Sequence, residues 1–170
     1  MNNPFTFLSG SEEETDRLGN SLADALQNGL TIALNGQLGS GKTRFVRALC
    51  AGLGIDTIAV NSPTFVILQQ YTDGRIPVAH MDTYRLADVD EFLSIGADEY
   101  LDSDEWLCLI EWADRVEEVL PADRLDISIL QVGPSARQFS FTSSGVRSDA
   151  VLTALKVQFE DHRSRESREK

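Results

Sequence analysis

One short string limits what this chain can fold into more than any other feature. Gly36-Gln37-Leu38-Gly39-Ser40-Gly41-Lys42-Thr43 satisfies every fixed position of the phosphate-cradling pattern Gly-x-x-x-x-Gly-Lys-Ser/Thr. The pattern carries chemistry only between a strand and a helix, and its flanks supply both. Leu30-Thr31-Ile32-Ala33-Leu34 reads as a short buried strand, and Phe45, Val46, Leu49 and Leu53 recur at helical spacing. A nucleotide is the expected ligand.

Each residue type has a physical reason. Gly36, Gly39 and Gly41 have no Cβ, so the backbone can turn successive N–H groups inward as an anion nest. Gly39, Ser40 and Gly41 lead into a helix whose first amides and dipole add attraction for a polyphosphate. In this pattern Lys42 reaches the β/γ oxygens, and the Thr43 hydroxyl is a magnesium ligand. A glycine-rich turn before an ordinary helix would give the same string with no ligand; the strand before it and the helix after it argue against that.

The remaining sequence sets the frame. A chain of 170 residues with 42% hydrophobic composition suits one domain with a sizeable core, expected over 1–161, and the polar tail 162–170 is expected to fray. The net charge of -12 argues against a protein that holds nucleic acid by itself on a basic surface. Cys50 and Cys108 lack the spacing of a metal or redox pair and read as small core residues. No basic region followed by an apolar run opens the chain. No apolar stretch approaches the roughly 20 residues that cross a bilayer, so no membrane contact and a cytoplasmic location are expected.

Along the chain, Phe5 to Leu8 suggests a strand. Ser11-Glu12-Glu13-Glu14 has the Ser-x-x-Glu capping form, opening a helix with Leu18, Leu22, Ala25 and Leu26 on one face and Gly29 as its stop. Thr64 to Tyr71 and Ile76 to Met81 read as strands of an antiparallel hairpin around Asp73-Gly74. A short irregular helix over Val89 to Leu101 and an apolar strand over Trp106 to Ile110 follow. Alternation at Leu125, Ile127, Ile129 and at Phe139, Phe141 marks two late strands about Gly133-Pro134, and Ser148 can cap a last helix. The expected fold is α/β: a three-layer P-loop NTPase domain whose central sheet mixes parallel and antiparallel strands.

Magnesium needs hard oxygens beyond Thr43, commonly an acid at the end of an apolar strand. Val78-Ala79-His80-Met81 runs into Asp82, and Leu107-Cys108-Leu109-Ile110 runs into Glu111. One of these acids would contact the metal or its water shell, while the other orients the attacking water or fixes the first. Lys42, Asp82 and Glu111 are therefore the candidate catalytic groups, and Thr43, Glu111 and Asp82 the candidate metal ligands.

Four segments taken together resemble a known family. Gly36 to Thr43, Ser62-Pro63-Thr64-Phe65, His80-Met81-Asp82-Thr83-Tyr84-Arg85-Leu86 and Ile110-Glu111-Trp112 resemble, in order, the signatures of the TsaE (YjeE) family, the bacterial ATPases of tRNA threonylcarbamoyladenosine synthesis. The resemblance implies that the loop and Lys42 hold ATP, that Thr43 and Glu111 ligate magnesium, and that Asp82 supports hydrolysis. It further implies that Thr15 and Thr64 lie near the nucleotide and that Trp112 packs beside Glu111 near a partner-facing site. It implies as partners the threonylcarbamoyl-transferase subunit (TsaD-like) and its inactive paralogue (TsaB-like), with tRNA reached through the complex. Gln37 and Ser40 depart from the acid and alanine common at those positions in the family, and Arg44 stands where a second threonine is common.

Two other functions use the same loop. A small-molecule kinase would need an arginine-rich lid, and the central chain offers Arg75 and Arg85 without a lid-like insertion. A nucleotide-gated binding module would use ATP to order a surface, with hydrolysis incidental.

Overall fold

The computed structural model describes residues 4–61 and 67–166. Ser62-Pro63-Thr64-Phe65, and with it the Thr64 assignment, lies outside the described residues. Strand β1 (Phe5–Ser9) leads into helix α1 (Glu12–Ala25), then strand β2 (Thr31–Asn35) and helix α2 (Lys42–Gly52). Strands β3 (Leu68–Tyr71) and β4 (Val78–Asp82), helix α3 (Val89–Ser94) and strand β5 (Leu107–Glu111) follow. Strands β6 (Arg124–Gln131) and β7 (Arg137–Ser143) precede helix α4 (Val146–Glu166).

The strands form one seven-stranded sheet in the order β1-β7-β6-β2-β5-β4-β3. Strand β2 runs parallel to both β5 and β6, and β4 parallel to β5, while β1–β7, β6–β7 and β3–β4 are antiparallel. The sheet is thus parallel at its centre and antiparallel at both margins, as the sequence leads one to expect.

Alternation along the strands sends residues to two cores. Ile32, Leu34, Leu109, Ile127, Phe139 and Phe141 face α1, α2 and α4, where they meet Leu18, Leu22, Phe45, Leu49 and Leu155. Ala33, Met81, Cys108 and Ile110 face the other way, onto Phe92 of α3 and onto Ala113 and Val116 of a 3-10 segment. This second covering layer stops short of the β6-β7-β1 side, where Thr6, Leu8, Ser128 and Leu130 are exposed. Cys50 and Cys108 are buried and unpaired, and burial pushes both thiols up to about 12, consistent with packing rather than redox roles.

Local chemistry explains the helix ends. Ser11 caps α1 by accepting from the Glu14 amide, and Glu14 reaches back to the Gly10 amide at 2.6 Å. Helix α1 ends at Ala25, earlier than the Gly29 stop. Leu26 turns extended, and the Arg75 guanidinium donates to the Leu26 carbonyl at 2.8 Å and to that of Ala23. Gly29 serves packing instead: a Cβ there would lie 2.4 Å from the Trp106 carbonyl oxygen. The β3–β4 hairpin forms, closed at Tyr71↔Val78 by a longer connection than Asp73-Gly74 alone.

Ser148 does not cap α4 from outside. It lies within the first turn, where its hydroxyl accepts from the Ser144 and Gly145 amides. The first-turn amides of Arg147 and Ser148 are satisfied by the Asp123 carboxylate, at 2.8 and 3.0 Å. Helix α4 continues to Glu166, past the boundary placed at residue 161.

Candidate functional site

The phosphate loop connects the carboxyl end of β2 to the first turn of α2. Gly39 and Gly41 have φ of 79° and 101°, left-handed values that favour glycine, and Gly41 occupies the position just before the helix. A Cβ at either would meet no atom within 4 Å, so these glycines are required by backbone conformation and not by crowding. The loop is also tied from outside. Arg137 of β7 donates from Nε to the Ser40 carbonyl at 3.0 Å, and from its terminal nitrogen to the Gly133 and Ala136 carbonyls.

Lys42 is largely buried although it carries a charge. Its Nζ donates to the Gly36 carbonyl and, at 3.0 Å, to that of Gln37, with Ser40 Oγ at 3.5 Å. The ammonium also lies 4.0 Å from the centre of the Trp112 ring, a cation–π contact. Burial pulls the Lys42 pKa below the ordinary lysine value, and the Glu111, Asp82 and Asp114 carboxylates oppose that shift.

Strand register brings the two acids together. Asp82 at the end of β4 pairs directly with Glu111 at the end of β5, beside Leu34 on β2. Glu111 is 2% exposed. Thr43 Oγ1 donates to its two carboxylate oxygens at 3.1 and 3.2 Å, and His80 Nε2 lies 2.9 Å from Oε1. Asp82 is half-buried, and its Oδ1 accepts from the Tyr84 amide at 2.9 Å. Thr83, fully buried between these strand ends, donates to the carbonyls of Glu111 and Trp112.

Trp112 has φ of 57°, uncommon for so bulky a residue, and this turns its ring over Lys42 and against Tyr84 at 4.8 Å between centroids. Gly39, Gly41, Lys42, Thr43, Asp82, Glu111 and Trp112 line one open pocket of about 430 Å³, with Leu38, Arg44, Tyr84 and Arg85 at its edges. That volume lies in the range of small-molecule sites. Thr15 does not line it; its buried hydroxyl lies 2.7 Å from Ser9 Oγ and donates to the Ser11 carbonyl. Arg44, the extra charge after the loop, is paired with Glu12 and Asp16 of α1.

His80, Thr83 and Arg137 carry no role in the sequence reading, yet each fixes part of this pocket. His80 had a visible signal: a histidine inside the apolar run Val78-Ala79-His80-Met81, two residues before the strand-end acid and so on the same face. Arg137 had none, because its partner Ser40 is remote in sequence.

The model of the family described as "Threonylcarbamoyl adenosine biosynthesis protein TsaE" matches residues 9–139. The tRNA threonylcarbamoyladenosine biosynthesis protein TsaE of Bacillus subtilis is 42% identical over 143 residues, covering 84% of this chain and 88% of that protein. The Treponema pallidum protein of the same name is 38% identical over 133 residues, with coverage of 78% and 96%. Among solved structures, YdiB of Bacillus subtilis superimposes with a TM-score of 0.77 at 33% identity, over 93% of this chain and 97% of that one.

Proposed function

The chain belongs to the TsaE family of threonylcarbamoyl adenosine biosynthesis proteins, and from that premise we propose that it is a magnesium-dependent ATP hydrolase serving tRNA N6-threonylcarbamoyladenosine formation. The observation that carries the reading is the contact between the Thr43 hydroxyl and the Glu111 carboxylate, 3.1 Å apart and directly behind a phosphate loop. A hydroxyl and a carboxylate are hard oxygen donors, and Asp82 lies in register with Glu111. This donor set fits magnesium, which takes few protein ligands and completes its shell with phosphate oxygens and water. Thr43 and Glu111 would hold the cation, with Asp82 at its water shell. Bound there, the cation would supply positive charge against the negative charge of the phosphates.

The chain's own groups divide the remaining work. The amides from Gly39 to Thr43 bind phosphate oxygens, and Lys42 supplies a positive charge in a partly dehydrated site where it acts strongly. Asp82, held by the Tyr84 amide, orients a water for attack on the γ-phosphorus. The bond to the bridging oxygen breaks, giving ADP and inorganic phosphate.

The partners in this reading are a threonylcarbamoyl-transferase subunit and its inactive paralogue. Two features support a protein over the pocket mouth: Leu38 is 80% exposed and Tyr84 47% exposed, giving the rim an apolar surface. The net charge of -12 favours tRNA being held by the partner. Among the described residues no helix is long and apolar enough to cross a membrane.

Titration with ATP and ADP, with and without magnesium, tests the site, alongside hydrolysis by Lys42→Ala and Thr43→Ala. Magnesium-dependent hydrolysis that both variants lose supports the reading. Hydrolysis that proceeds equally well without magnesium, or transfer of the γ-phosphate to a metabolite, would contradict it.

A further inference from the structure

Among the described residues, two side chains hydrogen-bond to the buried Glu111 carboxylate, and they contact it differently. Thr43 donates to both carboxylate oxygens and so does not distinguish them. His80 contacts Oε1, at 2.9 Å.

The ring also has a polar neighbour behind it. His80 is 0% exposed, on β4, where a hydrophobic residue would fill the same space without a desolvation cost. Its Nδ1 lies 3.4 Å from the Tyr71 hydroxyl, which is also 2.6 Å from Gln69 Oε1 and can give its one proton to either acceptor. Burial pushes the Tyr71 phenol up to about 12, so it stays a neutral hydroxyl. Gln69, Tyr71, His80 and Glu111 thus form a continuous polar line across β3, β4 and β5. Gln69 pairs with His80, Tyr71 with Val78 and His80 with Leu109, which puts the whole line on the sheet face that packs against α2. An ionised carboxylate is an acceptor only, so Nε2 carries the proton it donates.

We propose that His80 is a positioning residue for Glu111: by donating to Oε1 it sets the rotation of the carboxylate and presents Oε2 to the cation shared with Thr43. The inference rests on the magnesium site proposed above. It concerns the support that a ligating carboxylate needs, since outer partners orient ligands and tune their basicity.

The test uses Mn2+ with ADP as the probe, the full chain, and two variants that separate shape from hydrogen bonding. In His80→Gln the side-chain amide reaches the place of Nε2 and can still donate to Glu111. In His80→Asn it reaches only the place of Nδ1. Mn2+ binding to the ADP complex, followed by electron paramagnetic resonance, should stay within about threefold of wild type in His80→Gln and fall about 10- to 100-fold in His80→Asn. ADP affinity without metal should be unchanged in both. In the metal-free wild type, nuclear magnetic resonance should show a slowly exchanging His80 Nε2–H proton that vanishes in Glu111→Ala. That measurement decides the contact even where a His80 variant fails to fold.

A folded His80→Asn that binds Mn2+ as wild type does, or an Nε2–H signal indifferent to Glu111, overturns the role of His80 and leaves the metal site standing. A wild type that takes up no Mn2+ with ADP overturns both.

Discussion

Removing the Glu111 carboxylate should have two separable effects, one on folding and one on chemistry. In Glu111→Ala the fully buried His80 Nε2–H loses its acceptor, Thr43 loses the oxygens it donates to, and a void opens at the end of β5. An unsatisfied buried donor costs about 1–3 kcal/mol, and the void left by the side chain adds to that loss. Glu111→Gln keeps the shape. Its carbonyl oxygen can accept from His80, and its amide can donate to the Thr43 hydroxyl, so the loss should be about 1 kcal/mol. Urea unfolding followed by circular dichroism at neutral pH, without nucleotide, should therefore place Ala well below Gln and Gln close to wild type. Both variants should lose ATP hydrolysis by about 100-fold or more, equivalent to about 2.7 kcal/mol of barrier. A Glu111→Ala variant that unfolds within about 1 kcal/mol of wild type, or a folded Gln variant that hydrolyses ATP normally, would contradict these roles of Glu111.

Three further outcomes follow from contacts outside the acids. Arg137→Ala removes the 3.0 Å tie to the Ser40 carbonyl, and calorimetric titration should show ADP binding weakened about fivefold, the equivalent of one hydrogen bond of about 1 kcal/mol. Burial alone would raise the Asp123 carboxyl, but hydrogen bonds from the Arg147 and Ser148 amides and the Ser148 hydroxyl, together with the positive charge of the Arg147 guanidinium, outweigh it and hold its pKa below the usual carboxylate range. Because the folded pKa is depressed, that stability is fully present above the unfolded value and lost as pH falls through the folded one. The stability gap between wild type and Asp123→Asn should therefore persist at neutral pH, shrink below about pH 4 and close in stronger acid. Gly29→Ala should lower stability by about 1–3 kcal/mol in thermal or urea melts, because its new Cβ would meet the Trp106 backbone, which has no side-chain freedom with which to yield.

What the sequence revealed was what is local. The β2-loop-α2 unit is legible because strand, glycines and helix are contiguous, and the Ser11 cap because its partner Glu14 is three residues away. The mixed sheet is legible from the hairpin and the alternating late strands. The placement of Asp82 beside Glu111 follows from two apolar runs that each end in an acid, once the strands are parallel neighbours. The rest depends on register between distant segments. The reach of His80 to Glu111 spans two strands, Arg75 ends α1 from the β3–β4 connection, and Asp123 caps α4 from the loop before β6. Ser148 misleads because a serine within the first turn looks, in sequence, like one before it. Thr15 is a buried hydroxyl held by Ser9 and Ser11, contacts that depend on how the end of β1 meets the start of α1.

Under the proposed function, ATP hydrolysis at Lys42, Thr43 and Glu111 drives turnover of the tRNA-modifying assembly. The direct measurement is tRNA threonylcarbamoyladenosine formation by the reconstituted transferase subunit and its paralogue, over many turnovers, with ATP consumption followed in parallel. Wild-type chain should sustain modification, and Lys42→Ala, folded and added at the same concentration, should leave it at the level seen with no chain. Full multiple-turnover modification with Lys42→Ala would contradict the account.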